Sequence, residues 1–293
     1  MRNFNSLSIC AVIVSYEPDS SLIRLYESIK NQVDEIVVID NNSSSKNSAE
    51  ILRNLEKNVT IIFNKKNLGV AAALNQGVKF AINKNYSWVL TLDQDSEFLQ
   101  NTYNLLQKSY ENLKDKDKVM IIAPKPIERI FFEKKYEVLP DYENVLWKDV
   151  VLNLTSGSLI KTEVFNEVGF FDDKLFIEQV DNDFCYKLIK KGYKIKVADN
   201  VNFIQEIGHA KIKGIFVVRN HLPERKYYLS RNVTIMIKKY FFVAPLTTMR
   251  YFLGGTILGW TKILFFEKQK FLKIINGFKG FFDGIFGIYR NKE

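Results

Sequence analysis

Along the first hundred residues, short unbroken apolar runs alternate with segments of helical spacing. The runs at 9–15, 35–40, 59–63 and 88–92 are rich in Val, Ile and Leu. Continuous rather than alternating runs of this kind belong to parallel strands covered on both faces. Between them, 20–32 repeats Leu22, Leu25 and Ile29 at helical spacing, and 49–55 and 71–82 carry a similar period. The alternation predicts an open, doubly wound, mostly parallel α/β sheet flanked by helices. Ligands of such sheets bind beyond the carboxyl ends of the strands.

Residues 101–150 read as a helix followed by a charged, irregular stretch holding Pro124, Pro126 and Pro140. Beyond it the pattern predicts a strand ending at Thr155-Ser-Gly-Ser158, a helix near Glu163, a second over 176–191 and a strand over 193–198. After residue 232 the chain turns aromatic and basic. This divides it into a catalytic domain over 1–232 and a helical extension over 233–293.

Charge sharpens that division. Of the net charge of +9, residues 233–293 hold +7, from ten Lys/Arg against three Asp/Glu. So uneven a balance argues against nucleic acid as partner and for a specialised basic segment. Cys10 and Cys185 have no ligand spacing and read as buried free thiols of a reducing compartment. The first residues lack the pattern of a secretory signal. No stretch reaches the roughly 18 apolar residues of a membrane span. The expected location is therefore the cytoplasm.

Each apolar run ends in polar residues: Ser15-Tyr16, Asp40-Asn41-Asn42-Ser43, Asn64 to Gly69, and Asp93-Gln94-Asp95. Singly these are ordinary turn and cap residues; four in succession deliver acids and amides to one sheet edge. Two carboxylates at i and i+2 after a buried strand suit a hard divalent cation, which takes oxygen ligands and keeps phosphates in its shell. Gly69 and Gly77 allow backbone to approach a ligand or a neighbouring element closely. Glu178, Asp181 and Asp183 gather at a helix start, where one can act as general base and its neighbours can raise its proton affinity. Neither G-x-G-x-x-G nor a P-loop sequence occurs.

Taken in order, Ala11-Val-Ile-Val-Ser-Tyr16, Val38-Ile-Asp-Asn-Asn-Ser43, the segment from Asn67 to Gly77, Leu92-Asp-Gln-Asp-Ser96, Ser156-Gly-Ser158 with Val168-Gly-Phe-Phe-Asp172, and Phe176-Ile-Glu-Gln-Val-Asp181 resemble family 2 glycosyltransferases of the GT-A fold. Together with Arg225-Lys-Tyr-Tyr-Leu-Ser-Arg-Asn232 they are most similar to the bacterial rhamnosyltransferase branch. The resemblance implies an inverting transfer from a nucleotide sugar, dTDP-L-rhamnose, to a glycan or lipid-linked acceptor, with Mn2+ or Mg2+ as cofactor. It implies Asp181 as base, with Glu178 and Asp183 orienting it or meeting the acceptor. Tyr16, Asp40, Asn42, Asn67, Gly69, Asp93 and Ser158 would form the donor site, and Asp95 and His209 the metal site. Gln205 stands about where the family often has a metal-binding His. A UDP-linked donor is the alternative within the fold, and a metal-dependent nucleotidyltransferase the alternative outside it.

In the extension, Phe271, Ile274, Ile275, Phe278, Phe281, Phe282 and Ile285 recur at helical spacing, with Lys268, Lys270, Lys273 and Lys279 interleaved. This predicts an interfacial helix that places the protein peripherally on the inner membrane face. Gly277, Gly280, Gly284 and Gly287 add a stripe open to another helix, within the chain or in a homo-oligomer.

Overall fold

The computed structural model describes residues 8–129, 144–205, 211–213, 216–218, 222–254 and 258–290. Strands β1 (Ile9–Ser15), β2 (Glu35–Asp40), β3 (Thr60–Phe63) and β4 (Trp88–Asp93) run parallel in the order β3-β2-β1-β4. Helices α1 (Ser20–Ile29), α2 (Lys46–Leu55) and α3 (Val70–Asn83) connect them. Asp19 and Ser45 cap α1 and α2 by accepting from the backbone N–H of Ser21 and Ser48. Successive strand residues point to opposite faces, which divides the core in two. Cys10, Val12, Val37 and Ile39 pack under α3. Ile9, Ala11, Ile13, Ile36 and Val38 pack under α1 and α2. Gly77 is a packing glycine: a Cβ there would lie 2.1 Å from Val12 Cγ1.

Beyond β4 the sheet becomes mixed. Short β5 (Ser96–Phe98) follows at once, then α4 (Thr102–Glu111) and β6 (Val119–Glu128). With β7 (Trp147–Val150), β8 (Ser158–Lys161) and β9 (Lys194–Gln205), the full order is β3-β2-β1-β4-β8-β6-β9-β5, and β7 also pairs with β9. Strand β6 corrects the expectation of irregular chain after α4. Its prolines fit because pairing with β8 covers only Ile121 and Ile122, and a register shift at Pro124/Lys125 accommodates the first ring. The expected strand ending at Thr155 is displaced: residues 151–157 turn, and β8 begins after Gly157 at φ +83°. Helix α5 (Val164–Val168) matches expectation, whereas α6 (Val180–Lys190) begins four residues late.

Helices α7 (Pro223–Tyr240), α8 (Pro245–Phe252), α9 (Leu258–Phe266) and α10 (Lys270–Phe286) complete the chain, beside a small hairpin of β10 (Lys211–Lys213) and β11 (Phe216–Val218). The division between residues 232 and 233 falls inside α7. Ile235, Met236 and Tyr240 of that helix join the core beneath α3 and α6.

Helix α10 is inverted relative to an ordinary packed helix. It buries Lys273, Asn276, Gly277, Gly280, Asp283 and Gly284 and exposes Phe271, Phe278, Phe282 and Phe286. The glycines let its backbone lie against α7: a Cβ on Gly280 would meet the Tyr227 carbonyl at 2.2 Å, and one on Gly284 the Arg231 carbonyl at 2.6 Å. The stripe therefore receives a helix of the same chain. Lys273 departs from the expected lysine face. It is buried and paired at 2.9 Å with Glu267, which also holds Lys226 at 3.0 Å. Among the described residues no helix is long and apolar enough to cross a membrane. Both cysteines are buried free thiols, pushed up to about 12 chiefly by burial.

Candidate active site

Register places the polar strand ends side by side. Ser15 lies opposite Asp40, Val14 opposite Asp93, and Asp40 opposite Phe63. Asp40 is buried and accepts from the Ser43 amide at 2.9 Å and the Ser43 hydroxyl at 2.5 Å. Asn42 (φ +71°) is exposed in that turn. Buried Asn41 ties the next loop in: its Nδ2 donates to the Gly69 carbonyl, and its Oδ1 accepts from Asn64 Nδ2 and the Leu68 amide, each at 3.1 Å. Exposed Asn67 accepts from the Gly69 amide at 2.9 Å. Gly69 is obligatory on two counts: its φ is +83°, and a Cβ would lie 2.6 Å from Phe176.

Glu17, which the sequence did not single out, organises the far side of this edge. Its carboxylate accepts from Ser44 N and Oγ, Ser45 N and Ser48 Oγ, at 2.7–3.1 Å. The Ser44 amide first, then the Ser45 and Ser44 hydroxyls, hold it down at about 2. Exposed Tyr16 is anchored through its backbone, its N–H donating to Gln94 Oε1 at 2.9 Å and its carbonyl accepting from Gln94 Nε2 at 3.2 Å.

The Asp93-Gln94-Asp95 turn joins β4 to β5. Ser156, quoted in the motif but given no site role, holds it from below: its Oγ accepts from the Asp93 amide at 3.1 Å and bonds Ser96 Oγ at 2.7 Å. The Ser158 hydroxyl instead donates to the Leu154 carbonyl at 2.6 Å and accepts from Asn153 at 2.7 Å. That corrects the expectation that Ser158 faces a donor: it closes the turn before β8. Asn75 likewise has a structural role, exchanging bonds with both backbone groups of Phe171.

Asp93 is half-buried with its carboxyl enclosed. Burial, and then the negative charge of Asp181, push it up to about 6 against the opposing pull of Arg225 and Gln205. Gln205 ends β9 opposite Ser96, and its Nε2 donates to Asp93 Oδ2 at 3.2 Å. Its Oε1 is buried without a hydrogen-bond partner among the described residues. Such an oxygen costs roughly 1–3 kcal/mol if left unpaired. No three His, Cys, Asp or Glu side chains form a metal cage among the described residues. Asp93, Asp95 two residues along the same turn, and the Gln205 amide are nevertheless all oxygen donors, the chemistry that suits a hard divalent cation completed by water and phosphate. His209 lies outside the described residues.

Asp181 reaches this group from α6. The loop before it holds three non-glycine residues at positive φ: Phe176 (+65°), Glu178 (+65°) and Gln179 (+64°). Burial, with a further contribution from Glu178, raises Asp181 to about 6, although the Asn182 amide donates to its Oδ1 at 2.8 Å. Glu178 is paired with Arg225 of α7 at 2.5 Å. Arg225 is thus a further residue of the cluster, and its only sequence signal was the motif from Arg225 to Asn232. Asp183 points elsewhere. Fully buried, it pairs with Lys187 at 3.0 Å and Lys239 at 2.8 Å and accepts from Tyr240 Oη at 2.8 Å. Burial raises its pKa, but the two lysines outweigh this and hold it below the usual range. It joins α6 to α7, which corrects the expectation that it orients Asp181. Two surface hollows, one over α2 at Lys46 and Arg53 and one at Glu35 and Thr60, stand away from these carboxylates.

Comparison with known proteins agrees with this geometry. The chain is similar to the dTDP-rhamnosyl transferase RfbF of Shigella flexneri, 29% identical over 241 residues, covering 79% of this chain and 80% of that protein. Among solved structures it resembles S. aureus TarS 1-349 in complex with UDP-GlcNAc (TM-score 0.59, 16% identical, 95% of this chain and 81% of that one). It also resembles GalNAc-T7 with UDP, GalNAc and Mn2+ (TM-score 0.57, 18% identical, 78% of this chain and 48% of that one). These structural likenesses carry the fold alone. Residues 10–169, more than half of the chain and including β1 to β4 with their polar ends, match the profile described as Glycosyl transferase family 2, so the protein belongs to that family and is a glycosyltransferase.

Proposed function

We propose that the chain transfers L-rhamnose from dTDP-L-rhamnose to a hydroxyl of a lipid-linked or growing cell-surface glycan, with inversion, at the inner face of the membrane. The observation that carries the reaction is the meeting of Asp93 and Asp181, two carboxyls raised to about 6 on different elements at the carboxyl edge of the sheet. A general base works best with a pKa near the working pH. Asp181 Oδ takes the acceptor's proton as the acceptor oxygen bonds to the sugar C1. The bond from C1 to the diphosphate oxygen breaks, and dTDP departs. One displacement inverts the centre. Asp40, Asn42, Asn67, Gly69 and Tyr16 line the donor side, with Asp93 on the sugar or ribose. Asp95, Asp93 and Gln205 would hold Mn2+ or Mg2+, which when bound stabilises charge on the leaving diphosphate. Arg225 keeps Glu178 paired, so that the base carries only part of the repulsion of a second acid. The similarity to a dTDP-rhamnosyl transferase supports the choice of donor.

The inverted α10 supports attachment to membrane. Phe242, Leu246, Phe265, Phe271 and Phe286 all stand at least 70% exposed within a segment of charge +7. Apolar side chains among lysines bind anionic lipid through burial, at roughly 25 cal/mol per Å², and through about 1 kcal/mol per basic residue near the surface.

Incubation with dTDP-L-rhamnose or UDP-GlcNAc, with Mn2+ and a lipid-linked saccharide, tests the assignment. Release of dTDP, strongly slowed in Asp181→Asn, is expected. Turnover of UDP-GlcNAc alone would overturn the donor, and activity unaffected by chelator would overturn the metal.

A further inference from the structure

The buried pair Arg231 and Asn232 lies on α7, outside the carboxylate cluster, yet both side chains end on the loop that carries the base. Asn232 Nδ2 points at three acceptors of one short segment, the carbonyls of Leu175 (3.0 Å), Ile177 (2.7 Å) and Glu178 (2.8 Å). Arg231 Nη2 donates to the carbonyls of Lys174 (3.0 Å) and Leu175 (2.9 Å), and its Nε to Asn232 Oδ1 (2.8 Å). Arg231 and Asn232 are both wholly buried. The guanidinium lies 5.0–5.5 Å from the ring centres of Tyr227, Tyr228 and Tyr289, and its Nη1 donates to the Arg290 carbonyl at 3.1 Å. Tyr228 in turn stacks on Phe176 at 5.1 Å.

The loop so held cannot keep its shape unaided. Three non-glycine residues at positive φ within four positions are each disfavoured, and such conformations persist where surrounding structure over-determines them. The same loop reaches the donor side, since the Phe176 carbonyl accepts from the Val70 amide at 2.7 Å and the Phe176 ring abuts Gly69. One set of backbone carbonyls thus connects the first turn of α3, the base on α6 and the end of the C-terminal helices.

We propose that Arg231 and Asn232 are positioning residues: they fix the 174–179 loop so that Asp181 is held toward Asp93 and Gly69 stays against the donor edge. This rests on Asp181 being the base. Arg231 also ties the loop to the segment after α10, so the C-terminal helices act on catalysis as well as covering α7.

The test compares wild type, Asp181→Asn and Asn232→Ala in the full chain, reading kcat and its pH profile beside the far-UV spectrum and melting temperature. Asn232→Ala is expected to keep the fold, lose at least tenfold in kcat, and move the acidic limb downward from about pH 6 as water reaches Asp181. Lost stability alone would leave that limb in place. If Asn232→Ala melts lower but keeps wild-type kcat and limb, the proposal is overturned. If Asp181→Asn stays active, the assignment of the base fails instead. Should Asn232→Ala not fold, Arg231→Lys carries the same readout: it keeps the charge among the rings and removes the fork to the loop carbonyls. A wild-type profile in folded Arg231→Lys likewise overturns the proposal.

Discussion

Helices α3 and α10 each bury glycines against a close neighbour, yet they are built in opposite senses. Around Gly77, α3 buries Ala71, Ala73, Leu74, Val78 and Ala81 on the sheet. Around Gly280, α10 buries Lys273, Asn276 and Asp283 and turns its phenylalanines outward. Buried polar groups are tolerable there because each is answered: Lys273 by Glu267, Asp283 by Tyr227 Oη at 2.8 Å, and Asn276 by the Leu272 carbonyl at 2.9 Å. The difference teaches that a period of apolar residues locates a face without saying what it meets. In α3 the apolar face meets the core. In α10 the polar face meets the protein and the apolar face is left for something else.

The largest expected effect separates the two regions by function. Asp181→Asn, on the sheet side, is expected to lower turnover by roughly 10²–10⁴ and to abolish the acidic limb near pH 6, with donor affinity by calorimetry nearly unchanged. Collapse of donor binding would make Asp181 a donor ligand. Next in size is Leu74→Ala, expected to cost about 2–5 kcal/mol as a cavity under α3. Gly280→Ala should cost about 1–3 kcal/mol, since its methyl meets a backbone carbonyl that cannot rotate away. Denaturant unfolding checks both. A Gly280→Ala protein as stable as wild type would mean that α10 does not hold this contact.

A comparable effect concerns pH. Asp181 and Asp93 titrate near 6 in the fold against an ordinary value of 3.8. The native state therefore binds more protons than the unfolded one between about pH 4 and 6. The two groups destabilise increasingly as pH rises through that window, and the penalty is complete above it. Asp181→Asn is accordingly expected to be more stable than wild type at pH 7.5 by roughly 3 kcal/mol, with the gap closing toward pH 4. An equal gap at both pH values would exclude this origin. Smallest of all is the effect on stability of replacing Phe271, Phe282 and Phe286 by Ser, which should stay within about 0.5 kcal/mol per site while sedimentation with anionic vesicles in high salt is lost. This substitution is a cleaner probe than deleting 240–293. Deletion would uncover the face of α7 that α10 occupies and remove Tyr240 from Asp183. If the triple variant still pellets, the aromatic face binds something other than lipid.

The first four strands and their polar ends were legible because both signals are local: an unbroken apolar run needs two covered faces, and the polar residues follow directly in the chain. Strand β6 was hidden by Pro124 and Pro126, whose acceptance depends on which neighbour the strand lacks. Strand β5 was too short to register. The three acids at 178–183 were visible as a cluster, but their roles diverge through partners contributed by α7: Arg225 for Glu178, and Lys239 and Tyr240 for Asp183. Glu17 is a single polar residue with no local pattern, and Ser156 and Gln205 were visible only through the family resemblance, without the contacts they make. Their importance arises from strand register and turns that bring them to the edge.

By itself, then, the sequence determined the α/β alternation, the edge at which acids and amides collect, the ordered motifs of the family and the basic, aromatic character of the end. Those properties depend on residue type and spacing. Only the tertiary structure decided that Ser156 rather than Ser158 supports Asp93, that Asp183 is neutralised in the interior, and that α10 presents its phenylalanines outward. The same fold sets Arg231 and Asn232 under the loop that precedes Asp181. Each of these depends on which distant segment supplies the partner, and pairing across more than fifty residues is chosen by packing of the whole chain.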